Sequence, residues 1–125
     1  MYLVDTNIFL EILLNDPNRA ACETFLNDNI DNLHISDFSL HSMGVILFKK
    51  NRSELYQKFI NDVMPRMALV TIPTTFHVCL INSRTTYHFD YDDAYQYCTA
   101  KYQGLILKTQ DHDFDFVTDI NVEFL

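Results

Sequence analysis

The sequence predicts a three-layer α/β/α fold, with a central, mainly parallel sheet of four to five strands flanked by helices. Three observations lead there. Short apolar runs, Tyr2-Leu3-Val4 and Leu105-Ile106-Leu107, are each followed closely by an aspartate, Asp5 and Asp111. Apolar runs of about four to eight residues bounded by turn formers read as buried strands. The stretches between them carry helical apolar spacing, and strands alternating with such helices imply parallel pairing. Two Gly and three Pro leave little room for linkers, so residues 1–125 are expected to form one domain.

Taken in order, Tyr2–Val4 is the first strand and Asp5-Thr6-Asn7 its exit turn. Thr6 or Asn7 can cap a helix carrying Ile8, Phe9, Ile12 and Leu13. Asn15-Asp16-Pro17-Asn18 breaks the chain, and a helix over Arg19 to Asn29 is expected to bury Ala20, Phe25 and Leu26. Leu33-His34-Ile35 is a strand ending at Ser36, which caps a helix with Asp37 in its first turn, where the dipole favours an acid. That helix ends near Lys49-Lys50. Ser53 caps a further helix from Glu54 to Val63, and Ala68 to Ile72 is the third strand, closed by Pro73. Thr74 and Thr75 open a helix through Val78, Leu80 and Ile81. Asp90 or Asp92 caps the helix from Asp93 to Gln103, which Gly104 stops. Leu105 to Lys108 is the fourth strand, His112 to Val117 a short turn or helix, and Asn121 to Leu125 an edge strand.

Composition narrows the function classes. A net charge of −8 argues against a broad electrostatic footprint on nucleic acid. It does not exclude a nucleic-acid enzyme, because carboxylates that hold a divalent cation are part of such a charge and the ion reverses its local sign. Cys22, Cys79 and Cys98 are odd in number and lie far apart. They show no metal-ligand spacing and read as reduced core thiols of a cytoplasmic protein. No basic leader precedes the first apolar run, and no apolar run reaches the ~18 residues of a membrane span.

The chemistry-bearing residues gather at strand ends. Ligands of parallel α/β sheets collect at the carboxyl ends of strands. Asp5 leaves the first strand, Asp111 leaves the fourth, and Asp93 opens the helix between. Three carboxylates around one pocket are oxygen ligands suited to a hard cation. Taken alone, each has a plainer role: Asp5 as a turn residue, Asp93 as a helix-start acid, Asp111 with Asp113 as an Asx turn, and Asp37 as a helix-start acid.

Leu3-Val4-Asp5-Thr6-Asn7, then Ile35-Ser36-Asp37-Phe38-Ser39-Leu40-His41, then Phe89-Asp90-Tyr91-Asp92-Asp93-Ala94 and Thr109-Gln110-Asp111-His112-Asp113-Phe114 occur in this order. The series resembles the four blocks of the PIN-domain family of metal-dependent ribonucleases, including the VapC-type toxins. The resemblance covers the whole length. It implies Mg²⁺ or Mn²⁺ held by Asp5, Asp93 and Asp111 as catalytic carboxylates, with Asn7, Ser36, Asp37, Ser42 and Thr109 arranging them from behind. It further implies an RNA substrate, a homodimer and a small antitoxin partner. One position departs from the pattern: the family's usual second-block Glu is replaced by Ser42, a shorter, neutral side chain. Two readings therefore stand, an endoribonuclease and a catalytically weakened PIN fold that binds RNA or protein. A third, with Asp5 as phosphoryl acceptor, lacks an acidic partner beside Asp5.

Overall fold

Why these residues fold as they do follows from how the strands are buried. The computed structural model describes residues 1–125. Its sheet has five strands, β1 (Tyr2–Val4), β2 (Leu33–Ser36), β3 (Ala68–Val70), β4 (Ile106–Thr109) and β5 (Val122–Phe124), in the order β3-β2-β1-β4-β5. Every pairing is parallel. The central strands β1, β2 and β4 hold Leu3, Val4, Ile35 and Leu107 at 0% exposure, as a sheet covered on both faces requires. The edge strands β3 and β5 are three residues each, and β5, the edge expected over Asn121 to Leu125, is parallel to β4.

Six helices connect and cover the sheet: α1 (Thr6–Leu13), α2 (Arg19–Asp28), α3 (Asp37–Lys49), α4 (Ser53–Asp62), α5 (Val78–Tyr87) and α6 (Tyr91–Gln103). Two apolar clusters result. One joins Val4, Ile8, Phe9, Cys22, Leu33, Ile35, Met43 and Phe59 beneath α1 to α4. The other joins Leu3, Phe89, Tyr95, Tyr97, Cys98, Leu107 and Phe114 beneath α5 and α6. The sheet separates them, giving the three layers the sequence implied.

Local details correct several expectations. Asp5 caps α1, its Oδ1 accepting from the Thr6 amide at 2.8 Å, so the helix begins one residue earlier than a Thr6 or Asn7 cap allows. In α2 the buried residue is Cys22 while Ala20 is exposed. Ser53 lies inside α4, whose cap position is Arg52 without a side-chain bond. Strand β3 stops at Val70, and residues Thr74–Phe76 form a 3₁₀ turn that delays α5 to Val78. Asp90 occupies the cap position of α6 without a side-chain hydrogen bond. Gly104 stops α6 in the left-handed region at φ 67°, the conformation in which a Cβ is disfavoured. Ser36 caps α3 as expected, accepting from the Ser39 amide at 3.0 Å.

The largest correction concerns the thiols. Cys79 on α5 and Cys98 on α6 are joined as a disulfide, with Cα atoms 6.0 Å apart. Spacing in sequence gave no sign of this pair, because the connection between α5 and α6 folds back and sets two distant turns face to face. Cys22 remains a free, buried thiol.

Candidate functional site

Register places the acids. Val4 of β1 pairs with Lys108 of β4, and the Asp5 amide donates to the Lys108 carbonyl at 2.9 Å. Asp5 and Thr109 therefore emerge side by side at the carboxyl ends of the two central strands, where a parallel sheet presents its binding crevice. Two residues on, the Asp111 amide donates to Thr109 Oγ1 at 2.9 Å, and Asp111 Oδ1 accepts from the Asp113 amide at 2.8 Å. The Asx turn read from the sequence is real, and it holds Asp111 and Asp113 beside Asp93. The three carboxylates of Asp93, Asp111 and Asp113 each offer an oxygen within 4.8 Å of the others.

A cleft of ≈ 230 Å³ opens over Asp93 and Asp111, lined also by Asp5, Asn7, Phe38, Ser42, Asp92 and Gln96 among others, while Asp113 faces a neighbouring hollow with His112 and Phe116. Of the expected site residues, Asp5, Asn7, Ser42, Asp93 and Asp111 thus share one cleft, with Thr109 directly behind Asp5. Ser36 sits deeper, fully buried, its hydroxyl donating to Gln96 Oε1 at 2.8 Å. Asp37 does not join them. Its carboxylate accepts from the Tyr95 hydroxyl at 2.8 Å and the Thr71 hydroxyl at 3.1 Å. The expectation that Asp37 supports the acids is corrected: its position in the first turn of α3 turns it toward β3's exit rather than the cleft.

Asp5 differs from the other acids in being fully engaged. Its Oδ1 accepts from the Thr6 amide and from Gln96 Nε2 at 3.0 Å, and its Oδ2 accepts from the Thr109 hydroxyl at 2.7 Å. Burial pushes its carboxyl up, the three donors oppose that, and the nearby Asp111 charge adds to it, leaving it above the ordinary range. Because those donors hold it at the cleft's inner wall, Asp5 stands outside the tight group that Asp113 joins instead.

Asp93 has the opposite surroundings. Burial, then the charges of Asp111, Asp92, Asp5 and Asp113, push its carboxyl up to about 7. Like charges that cannot all ionise at close range are what a divalent cation relieves. The fit extends to a neutral donor: Asn7 Oδ1, on the same cleft, is buried without a protein partner. The carboxylates of Asp5, Asp92, Asp93 and Asp111, an unpaired amide oxygen and no basic side chain on the wall suit a hard, oxygen-seeking ion.

Gln96 is the residue that sequence reading missed. It is 2% exposed and bridges the elements, donating to Asp5 and to Ser39 Oγ at 2.6 Å while accepting from Ser36. Ser39 also accepts from the Thr6 hydroxyl at 2.8 Å. A signal existed in its spacing, since Gln96 lies one helical turn beyond Asp93 on the same face.

A family model described as PIN domain matches residues 2–119. The chain belongs to the PIN-domain family. No curated protein matches it in sequence. Solved structures share the fold at low identity. A VapBC2 complex from Rickettsia felis, bound to a promoter DNA fragment, is similar at 17% identity and TM-score 0.81, covering 98% of this chain and 97% of that one. A toxin–antitoxin complex from Klebsiella pneumoniae is similar at 20% and 0.78, covering 96% and 95%. FitAcB from Neisseria gonorrhoeae is similar at 21% and 0.76, covering 98% and 96%. PIN domains are generally nucleases that use divalent cations, and this PIN domain carries an acidic cleft.

Proposed function

We propose that this PIN domain is an endoribonuclease that hydrolyses RNA phosphodiester bonds with Mg²⁺ or Mn²⁺. The observation that carries the proposal is the Asp93, Asp111 and Asp113 group, three carboxylates within 4.8 Å where the first turn of α6 meets the segment after β4. In this reading Asp93 and Asp111 hold the ion, Asp113 completes the oxygen set, and Asp5 faces them as an oriented acceptor. When bound, such an ion stabilises charge on a phosphodiester and makes water more acidic. The chain's own part is to fix the carboxylates. Thr109 orders both Asp5 and the Asp111 turn, and Gln96 locks Asp5 against α3.

The solved relatives that are toxin–antitoxin complexes support a small antitoxin as partner and a toxin role. A homodimer and a cytoplasmic location belong to the same proposal, and no helix is long and apolar enough to cross a membrane. The test is cleavage of mixed structured and single-stranded RNAs with Mn²⁺, Mg²⁺ or EDTA, beside Asp93→Asn purified identically. Cutting that needs the metal and disappears in the variant is the expected result.

A second reading rests on Ser42. It lines the cleft where the family's usual Glu would stand, and it supplies no charge. This favours a weakened PIN fold that binds RNA or a protein without cutting. Ser42→Glu separates the two: cleavage that only the variant shows identifies a decayed nuclease, whereas robust wild-type cleavage rejects the binding-only reading.

A further inference from the structure

The first turn of α6 is a ridge with a cleft on either side. Asp92, Asp93 and Gln96 face the acidic cleft. Tyr91 and Ala94 face a second one of ≈ 540 Å³, completed by His77, Leu80, Ile81 and Arg84 of the α5 region with Phe89 and Asp90. We propose that this second cleft is a nucleobase subsite, in which one base of single-stranded RNA stacks on Tyr91. The inference rests on the ribonuclease reading and names the form of its substrate.

Tyr91 is a supported aromatic surface. Its ring stacks on Tyr95 at 6.0 Å and 30° and meets Phe38 at 5.8 Å. Tyr95 is itself fixed, its hydroxyl donating to Asp37 at 2.8 Å, and its ring lies 5.5 Å from Phe38. The ladder is therefore braced on its inner side, while Tyr91 remains 56% exposed. Sequence-tolerant recognition of single strands uses such platforms, because every base has a π-face.

Two features select RNA as the occupant. The clefts share a wall, since Phe38 lines the acidic cleft and touches Tyr91. A phosphate at the acids thus leaves its base beside the aromatic ladder. The second cleft also carries a charged pair, Arg84 with Asp90 at 3.8 Å, both largely exposed, with Arg84 Nη1 anchored by donating to the Phe89 carbonyl at 3.0 Å. A guanidinium donor and a carboxylate acceptor complement the mixed donor and acceptor edge of a base. An apolar contact with a second copy would instead have to cover that pair.

The test uses the full chain and single-stranded RNA carrying 2-aminopurine, in Ca²⁺, which neutralises the acidic cleft but activates water poorly. Wild type and Tyr91→Phe are expected to quench the fluorophore. Tyr91→Ala is expected to lose the quenching and bind about tenfold more weakly. Ile81→Glu, at a side chain 68% exposed in the same cleft, is expected to weaken binding as well and serves if Tyr91→Ala fails to fold. Unchanged affinity and quenching in both variants, or no quenching by wild type, overturns the subsite. So does a wild-type dimer that either variant turns into a monomer with RNA binding intact, which assigns the face to a second copy. Cleavage of the same RNA in Mn²⁺ tells the two proposals apart: cutting without Tyr91 dependence removes the subsite alone, and Tyr91-dependent quenching without cutting removes the ribonuclease alone.

Discussion

Two carboxylates at opposite ends of α6 have been given opposite environments. Asp119 packs beside the helix's later turns, accepting from the Tyr87 hydroxyl at 3.2 Å, from the Tyr97 hydroxyl, and from Lys101 Nζ at 2.9 Å. Burial pushes its carboxyl up, but the bonds from Tyr97 and Lys101 and the Lys101 charge outweigh that and hold it below the usual range. Asp93, in the first turn, has acids rather than donors around it and is pushed up to about 7. Asp119 is satisfied by the protein. Asp93 is left with crowded charges that a cation would relieve, and this contrast is the strongest physical reason for placing the proposed function at that end.

If the contrast is functional, the largest effect comes from the acids themselves. Asp111→Asn is expected to lower metal-dependent RNA cleavage roughly hundredfold or more, the scale of several kcal/mol of lost charge stabilisation, read as initial rates at saturating Mn²⁺. Retained cleavage would place the ion elsewhere. Next comes Gln96→Leu, which leaves Ser36, Ser39 and Asp5 without their shared partner. Orienting residues of this kind cost about 10–100-fold in metal affinity or activity, and the unpaired buried groups about 1–3 kcal/mol of stability. Unfolding and Mn²⁺ titration curves check both together.

A third effect is in pH. Between its ordinary value of 3.8 and about 7, folded Asp93 keeps a proton that the unfolded chain releases. Its contribution to stability is therefore complete below the unfolded pKa and lost as pH rises through about 7. Without cation, Asp93→Asn is expected to melt higher than wild type at pH 8, and the gap to close at pH 5. A lower melting point for the variant at pH 8 would show that Asp93 is not strained by its neighbours. The smallest effect is at the other end of α6. Asp119→Asn is expected to cost at most about 1 kcal/mol, given how far solvent screens a half-exposed group, and to leave cation binding unchanged.

Much of the architecture was legible because buried strands and aspartate-terminated runs are local signals. The strand at Tyr2–Val4, the capping role of Ser36 and the stop at Gly104 all follow from neighbouring residues. The acids Asp5, Asp93 and Asp111 could be brought together because strand ends in a parallel sheet converge. What was not legible depends on side-chain direction. Nothing local tells that Asp37 turns to Tyr95 and Thr71, or that Asp113 rather than Asp5 closes the tight carboxylate group. Gln96 was passed over because an amide in a helix between Tyr95 and Tyr97 looks like surface until α3 is laid against it. The Cys79–Cys98 pair needed the antiparallel return of α5 and α6, a tertiary fact. Ser42, singled out by its place in the second block, lines the cleft.

The most direct measurement is a calorimetric titration of Mn²⁺ into wild type, Asp93→Asn and Asp119→Asn. The account predicts one saturable cation site in wild type and Asp119→Asn, absent or weakened about tenfold or more in Asp93→Asn. Equal binding by all three proteins, or none by wild type, would contradict the claim that the acidic end of α6 is built to hold a cation.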